Sequence, residues 1–449
     1  MHWAAQSLLL MIRALPFFIL TQTGDFYPEQ IKLSWSRHEN ELTVTWVTYL
    51  KSNTYATLAP FMCDEAGEVF LVQGHSEIFN AGSDAVPRYQ IIHKATLKPI
   101  LEHCFYEYKV GNLVYWSKPF VVRGRTPDAM VPFDYESPIT LLVVGDLGVG
   151  PIAKETMNIL VRDAEVGHFD ALIHLGDIAY NLNSDFGRVG DQFIRMIQPV
   201  ASKYPYLTIP GNHEHDDNMT HYKMRFDMPV NSANDGTGYF YSLDMGPAHF
   251  IFFNTEIVLS SHHLEANLTQ WNWLVEDIEK ARANREDRPW IIMGTHHPLY
   301  CSVDYMEEDL DKDCAEEGSE LQAVLDEFLY NNRIDLFLQA HVHNYERAGP
   351  VYRNLTVSSD YDSLNMHVNP KAPVYITTGN AGNHKGQNDP ISRTPQLWSL
   401  VRSDTYGYGR LKVYNKTHLY YEQTSAPNSE TVDYVWIVKN HTEYEVRHC

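Results

Sequence analysis

The feature that most constrains this chain is a unit that recurs along it: a short apolar run, followed almost at once by a polar residue able to bind a cation. The runs cover residues 139–144, 171–175, 206–210, 290–294 and 336–338, and the polar residues that follow them include Asp146, Asp177, Asn212, His213, His296 and His341. Continuous apolar runs of this length are typical of strands buried on both faces. Sites in α/β folds form just beyond the carboxyl ends of such strands, so we expect these residues to meet at one edge.

Together these residues make a mixed set of oxygen and nitrogen donors. Such donors suit hard or borderline cations, and the candidate metal ligands are Asp146, Asp177, Tyr180, Asn212, His296, His341 and His343. The set is large enough for two metals that share a bridging carboxylate, an arrangement that clamps both oxygens of a phosphoryl transfer. His341 and His343 are two residues apart, and side chains at i and i+2 of an extended segment point the same way.

Each of these residues also has an ordinary structural interpretation. An Asp after Gly at a strand end is commonly a turn or helix N-cap residue, and Gly-Asn-His can be a plain turn. A lone buried His is commonly a hydrogen-bonded core residue. The ordered combination of all of them favours a metal centre. Because neighbours on an extended segment point apart, we do not expect Asn212 and His213 to bind the same metal.

The N-terminus has the pattern of a secretory signal peptide over residues 1–23. Residues 8–20 are apolar apart from Arg13, and small residues follow them. The run is shorter than the ~20 residues of a membrane-spanning helix. A buried N-terminal helix is the alternative. The prediction is a secreted, extracellular or lysosomal glycoprotein, with acceptor sequences at Asn218, Asn267, Asn354, Asn415 and Asn440.

Charge and cysteine content narrow the partners and the compartment. The formal net charge of −22 argues against nucleic acid or an anionic membrane as a partner. An anionic substrate would need a local cluster of cations. In an oxidising compartment Cys301–Cys314 would close a short polar loop, and Cys63–Cys104 could cross-link the N-terminal domain. Cys449 has no candidate partner among the other four cysteines. It is either free or forms a disulfide between two chains, and the second alternative would give a homodimer.

Two regions differ in pattern. Residues 24–127 contain alternating segments at 30–36, 41–49, 106–110 and 120–123, which predict a small β-sandwich. A proline-containing linker follows. Residues 138–449 carry every candidate ligand, and their C-terminal segment, 371–437, has further strand patterns and is expected to complete the same domain.

Five motifs carry a resemblance to a known superfamily. In chain order they are Gly145-Asp146-Leu147-Gly148, Gly176-Asp177-Ile178-Ala179-Tyr180, Gly211-Asn212-His213-Glu214, the strand end at His296, and Ala340-His341-Val342-His343. This order resembles the calcineurin-like metallophosphoesterases. Tyr180, three residues after Asp177, resembles the purple acid phosphatases, whose tyrosinate binds ferric iron. The resemblance covers nearly the whole chain after residue 23 and is nearest to longer animal forms related to plant enzymes.

The resemblance implies a fold and a role for each residue. The fold class is α+β or α/β: a fibronectin-III-like sandwich, then a metallophosphoesterase β-sandwich flanked by helices. Fe(III) would be held by Asp146, Tyr180 and His343, and a divalent Zn, Fe or Mn by Asn212, His296 and His341, with Asp177 bridging them. His213 would orient the phosphate or protonate the leaving oxygen.

Two positions depart from the family pattern. Ala340 stands where the family usually has Gly, and we expect the methyl group to be tolerated. His296 and His297 are adjacent, so either could be the ligand of that strand end. Counting back from Pro298 favours His296 and leaves His297 to contact phosphate.

The implied function is acid hydrolysis of phosphate monoesters, either small molecules or phosphopeptides, by a hydroxide on the metals. A phosphodiesterase or nucleotide pyrophosphatase of the same superfamily is one alternative, and Tyr180 argues against it. A non-catalytic iron-binding glycoprotein is another, and a phosphate-facing His213 argues against that.

Overall fold

The computed structural model describes residues 24–36, 38, 40–63, 67–101, 104–124, 138–167, 169–215, 217–231, 233, 236–260, 264–303, 314–388 and 394–440. The predicted signal peptide at 1–23, residues 125–137 of the linker predicted at 123–138, and Cys449 lie outside these ranges. Within them, no helix is long and apolar enough to span a membrane.

The N-terminal region is made of strands. Their bounds are β1 Glu29–Trp35, β2 Leu42–Thr48, β3 Tyr55–Met62, β4 Phe70–Gln73, β5 His75–Asn80, β6 Tyr89–Leu97, β7 Phe105–Gly111 and β8 Phe120–Arg123. They form two four-stranded antiparallel sheets, ordered β1-β2-β6-β5 and β4-β3-β7-β8. Side chains from both sheets, such as Trp46 and Tyr108, share one buried core. This is the two-layer arrangement that the alternating segments predicted.

The second region adds helices to a larger set of strands. The helices are α1 Pro151–Val166, α2 Ser184–Ala201, α3 Asn212–His215, α4 Thr220–Arg225, α5 Thr255–Leu259, α6 Leu264–Ala283 and α7 Cys314–Asn331. The strands are β9 Ile139–Val144, β10 Ala171–Leu175, β11 Tyr206–Ile209, β12 Tyr241–Met245, β13 Ala248–Phe252, β14 Trp290–Gly294, β15 Leu336–Gln339, β16 Tyr345–Tyr352, β17 Leu355–Thr356, β18 Tyr361–Ser363, β19 Met366–Val368, β20 Val374–Thr378, β21 Ser399–Ser403, β22 Gly407–Val413, β23 His418–Ser425 and β24 Thr431–Val438.

These strands form two mixed sheets. One has the order β11-β10-β9-β22-β23-β24-β19-β18, and the other β12-β13-β14-β15-β20-β16-β17, with β21 beside β16. Strands β9, β10 and β11 are parallel, as are β13, β14, β15 and β20, so their carboxyl ends point one way within each sheet. Each predicted ligand follows one of these parallel strands.

The alternation of side chains explains why the sheets are layered. Along β14 and β15, Ile292 and Leu338 belong to the core shared with the first sheet. Their neighbours Ile291 and Phe337 belong to the core shared with α6 and α7. Because successive strand residues point to opposite faces, an uninterrupted apolar run buries both faces. The result agrees with the predicted sandwich flanked by helices.

Covalent and ionic links hold the parts together. Cys301 forms the predicted disulfide with Cys314, and Cys63, whose pairing the sequence left open, forms one with Cys104. Between the regions, Asp191 on α2 is buried. It pairs with Arg88 of the N-terminal sandwich at 2.7 Å and with Arg225 of α4 at 2.8 Å. Burial raises the pKa of the Asp191 carboxyl, but Arg225 and the hydrogen bonds outweigh burial and lower it.

A buried histidine joins the first strands of the second sheet to α6. On β13, His249 Nδ1 lies 2.6 Å from Asp244 Oδ1, and its Nε2 lies 2.9 Å from Asp277 Oδ2. Burial favours the neutral ring, but the hydrogen bonds to the two carboxylates outweigh it and raise the pKa of His249 to about 9. A charged imidazole therefore links β12, β13 and α6.

We expect His249→Asn to remove a part of the stability that depends on pH. Since the pKa in the folded state lies above its ordinary value of 6.5, the contribution is complete below 6.5 and is lost as the pH rises toward about 9. It amounts to roughly 3 kcal/mol at most. Thermal unfolding of both proteins at the two ends of this window should show a larger difference at the lower pH. The control His75→Asn changes an exposed histidine and should follow the wild type. An equal loss at both pH values would contradict the account.

Candidate metal centre

The predicted ligands lie on loops with unusual backbone geometry. Asp146, Asp177, Tyr180 and His341 have φ angles of 57°, 50°, 55° and 67°, in the left-handed region that residues with a Cβ rarely adopt. Such conformations cost free energy, and they cluster at sites where the surrounding structure enforces them. Four such residues at adjoining strand ends therefore mark this edge of the sheets as a functional site.

Glycines next to the ligands allow the loops to approach closely. A Cβ on Gly176 would lie 2.5 Å from His296 Nδ1, and its φ of 79° also favours glycine. A Cβ on Gly211 would lie 2.4 Å from Asp177 Oδ1 and 2.7 Å from His296 Nε2. Gly176 and Gly211 therefore make room for the ligands His296 and Asp177.

One half of the site is formed by Asp146, Tyr180 and His343. The Tyr180 hydroxyl lies 2.9 Å from His343 Nε2 and 3.4 Å from Asp146 Oδ1, and His343 Nε2 lies 3.5 Å from the same carboxylate oxygen. The other oxygen, Oδ2, accepts a hydrogen bond of 2.8 Å from the backbone N–H of His341. This bond leaves Oδ1 directed at the tyrosine and the histidine. Burial, then the charges of Asp146 and Asp177, raise the pKa of the Tyr180 phenol well above its usual value.

The other half is formed by Asn212, His296 and His341. Asn212 Oδ1 is 3.1 Å from His296 Nε2 and 3.1 Å from His341 Nδ1, and the two ring nitrogens are 3.2 Å apart. The backbone carbonyl of Leu175 lies 2.7 Å from His296 Nδ1, which fixes the ring. These three residues come from loops after three different strands.

Asp177 lies between the halves. Its Oδ1 is 3.3 Å from His296 Nε2, and donor atoms of Asp146, Asp177 and His296 all lie within 4.8 Å of one another. Burial raises the pKa of Asp177, but the positive charge and hydrogen bond of His296 outweigh burial and hold it far below the usual range. A carboxylate in this position can contact a cation on either side.

The chemistry of these donors fits a metal. Because the Leu175 carbonyl can only accept, His296 Nδ1 carries a hydrogen, so loss of the second ring proton leaves a lone pair at Nε2. That lone pair faces the amide oxygen of Asn212 and the carboxylate of Asp177. Buried acceptors that face one another repel unless a cation or an extra proton lies between them. A metal ion satisfies all of them at once, and the carbonyl behind a ligating histidine is the usual orienting partner.

His213 lies beside the site, outside both groups of three. Its backbone N–H donates to Asp177 Oδ1 at 3.1 Å, and its Nδ1 is hydrogen-bonded to Asn181 Oδ1. Its ring lies 4.7 Å from the Tyr180 ring, and its side chain is 16% exposed. Since Asn181 occupies Nδ1, Nε2, which lies 3.8 Å from Asp177 Oδ2, is the ring atom left to exchange a proton with a substrate. No sequence pattern indicated a role for Asn181.

Glu214 is a second residue whose role the sequence did not predict. Its Oε2 accepts from the backbone N–H groups of Asp177 at 2.8 Å and Gly211 at 3.0 Å, and its Oε1 accepts from Ile178 at 3.0 Å. Glu214 thereby links the loop after β10 to the loop after β11. Burial and the charge of Asp177 raise the pKa of Glu214 to about 8. Its one signal was its place directly after Asn212 and His213.

His297 lies near the centre and is paired with Glu256. Its Nε2 is 2.9 Å from Glu256 Oε1, and its ring centroid is 3.9 Å from that of His341. It is 4% exposed, and with His296 and His341 it forms a further group that could hold a cation. Contact between His297 and phosphate stays a prediction.

At two places the backbone is not extended, although the sequence predicted that it would be. The His341–His343 segment is not extended, because His341 is left-handed, and its two histidines serve different halves of the site. Asn212 and His213 lie on the short helix α3 and not on an extended segment.

The methyl group of Ala340 fits because Gly145 lies opposite it, where a Cβ would come within 2.5 Å.

The chain is similar to known proteins over most of its length. Residues 139–345 match the family model of the calcineurin-like phosphoesterases. Residues 372–434 match that of the iron/zinc purple acid phosphatase-like protein C. Human acid phosphatase type 7 is 38% identical over 98% of this chain and 97% of its own length. Purple acid phosphatase 18 of Arabidopsis thaliana is 27% identical over 93% of this chain and 86% of its own.

The fold also has a solved counterpart. A purple acid phosphatase from yellow lupin (Lupinus luteus) seeds aligns with a TM-score of 0.74 at 20% identity, over 92% of this chain and 75% of that one. At that identity the likeness concerns the fold. Together with the human relative and the two family models, it places this chain in the purple acid phosphatase family, as an enzyme of the phosphatase class.

Proposed function

We propose that the protein is an acid phosphatase that hydrolyses phosphate monoesters at an Fe(III)–M(II) centre, where M is Zn, Fe or Mn. One observation carries the proposal: a member of each group of three donors, Asp146 in one and His296 in the other, has a donor atom within 4.8 Å of the Asp177 carboxylate. Asp146, Tyr180 and His343 would hold the ferric ion. Asn212, His296 and His341 would hold the divalent ion. Burial raises the pKa of the Tyr180 phenol, so a cation bound beside it would have to supply the charge that ionises it.

The metals would supply an acidified water as nucleophile and positive charge for the phosphate oxygens. The chain's own residues do the rest. Asp177 and Glu214 fix the spacing of the loops, since the carboxylate of Glu214 holds the Asp177 backbone in place. His213, held at Nδ1 by Asn181, would direct Nε2 to the phosphate or to the leaving oxygen. A protonated Nε2 can donate to that oxygen as the ester bond breaks.

We predict that Tyr180→Phe removes a visible charge-transfer band and weakens iron binding. The phenyl ring can still pack beside His213, so the fold should survive while the oxygen donor is lost. Absorption spectra and metal content of the purified proteins measure both effects. The control Tyr27→Phe removes a half-exposed tyrosine of the N-terminal region and should leave the colour unchanged. A colourless, iron-free wild type with full activity would refute the ferric assignment and favour the phosphodiesterase alternative.

We predict that His213→Ala retains both metals but turns over ~10²–10⁴-fold more slowly, the usual range for general acid help. The loss should be smaller for aryl phosphates, whose leaving groups need little protonation. Asp177→Asn is the matched comparison, because it removes the bridging charge and should cost both metals and nearly all activity. Equal metal loss in the two variants would show that His213 is a ligand.

We also propose that the protein is a secreted or lysosomal glycoprotein with a signal peptide at 1–23. We propose a fibronectin-III-like domain at 24–127 and a catalytic domain at 138–449; the sheet order β1-β2-β6-β5 over β4-β3-β7-β8 supports the first. Three acceptors, Asn218, Asn354 and Asn440, are exposed, whereas Asn267 and Asn415 are half-buried. The exposed three are expected to carry glycans first.

Intact-mass analysis before and after deglycosylation tests this proposal. The mature protein is expected to start near Gly24 and to lose mass on deglycosylation. Asn354→Gln should lower the mass by one glycan, with Asn415→Gln as the comparison at a half-buried position. An unglycosylated product that keeps Met1 would overturn it.

A further inference from the structure

The loop after β20, residues 379–388, lies over one side of the site, and we call it the rim loop. Its start and end are fixed to the ligand segments. A Cβ on Gly379 would lie 2.8 Å from Asp146 Oδ2, so the backbone passes directly beside that carboxylate. At the other end, the His343 N–H donates to Asn388 Oδ1 at 2.7 Å, and the Asn388 N–H donates to the His343 carbonyl at 2.9 Å. The rim loop is therefore part of the wall of the site.

The middle of the rim loop is fixed as well. Gly382, with φ of 143°, lies against the first turn of α1, where a Cβ would come 2.6 Å from the Cα of Ala153. Asn383 Oδ1 accepts from the N–H of Lys385 at 3.0 Å and of Gly386 at 2.9 Å. This side-chain turn holds the backbone of the intervening residues in one conformation.

Two basic side chains project from this fixed turn, and both lie beside the same tyrosine. Lys385 Nζ is 5.9 Å from the centroid of the Tyr180 ring, and the His384 ring is 5.0 Å from it and perpendicular to it. Both side chains are exposed, whereas the Tyr180 hydroxyl is directed inward at His343 and Asp146. The tyrosine ring thus separates the donors of the centre from a basic rim.

The positive charge of Lys385 contrasts with the net charge of the whole chain. The chain has a net charge of −22, so the field far from the site repels anions. A lysine at the rim can attract the part of a substrate that extends beyond the scissile phosphate. His213, which would contact the reacting phosphate, also packs against Tyr180, with 4.7 Å between the ring centroids. One small molecule could therefore reach His213 with its phosphate and Lys385 with a second group.

We propose that Lys385, with His384 beside it, forms a second anion subsite that makes the enzyme prefer phosphate monoesters carrying another negative group near the ester. The second group is a carboxylate or a second phosphate, since both offer oxygens to an ammonium group. The proposal rests on the proposed phosphatase function and names its substrate class. Lys385 is a specificity-determining residue and takes no part in bond breaking.

The test compares matched substrates on the metal-loaded enzyme. Glycerol 3-phosphate and 3-phosphoglycerate differ by a carboxylate, and fructose 6-phosphate and fructose 1,6-bisphosphate differ by a phosphate. The wild type should show a lower KM for the more anionic member of at least one pair, and the pair affected identifies the second group. Lys385→Ala should reduce that KM ratio by about fivefold, as expected for an exposed ion pair. The change should fall on KM rather than kcat, and high salt should weaken the wild-type preference.

Two variants complete the design. Lys385→Arg keeps the charge and should keep the preference. Lys371→Ala is the matched control, because Lys371 is a half-exposed lysine paired with Asp360, and it should leave both ratios as in the wild type. Hydrolysis of all four substrates with the same ratios in wild type and Lys385→Ala would overturn the subsite while the phosphatase function stands. A metal-loaded wild type that hydrolyses none of the four would overturn both.

Discussion

The carboxyl ends of five strands bring together oxygen and nitrogen donor atoms that repel one another unless a proton or a metal cation lies among them. Asn212 Oδ1, His296 Nε2 and His341 Nδ1 meet within 3.2 Å. Much of the local structure follows from this gathering of acceptors. The left-handed backbone at the ligands, the glycines that admit a neighbouring ring, and the buried carboxylate of Glu214 all serve to hold it.

Protons and metals compete for the same donors. Burial favours a neutral His296, but the charges of Asp177 and Asp146 raise its pKa well above the usual value, so a site without metal would hold a proton there. Burial likewise favours the neutral phenol of Tyr180. Metal binding must release such protons, which makes affinity fall at low pH. A highly charged cation such as ferric iron can still displace these protons from the donors under acidic conditions.

The sequence predicted the strands that build the site better than those of the N-terminal sandwich. The bounds of Ile139–Val144, Ala171–Leu175 and Trp290–Gly294 were predicted correctly, because strands buried on both faces are continuous apolar runs. By contrast Phe70–Gln73 was not predicted. It is a short, largely exposed edge strand, and its residues carry no strong alternation. The order of the ligand motifs could be read because each motif is local.

Contacts between loops that are far apart in the chain could not be predicted from the sequence. Glu214 reaches the amides of Asp177 and Ile178, some 36 residues away in the chain, and nothing in its own neighbourhood indicates those partners. The same holds for Asn181 beside His213 and for Asn388 beside His343. The geometry at His341 also depends on Asp146, which accepts its backbone N–H and stabilises a left-handed residue there.

The most direct test of the central claim is anomalous diffraction at the iron, zinc and manganese edges from crystals of the metal-loaded protein. The account predicts two metal peaks ~3.5–4 Å apart on either side of the Asp177 carboxylate. The iron peak should be bound by Asp146, Tyr180 and His343, and the second metal by Asn212, His296 and His341. A single peak, or a peak held by His297 together with His296 and His341, would contradict it.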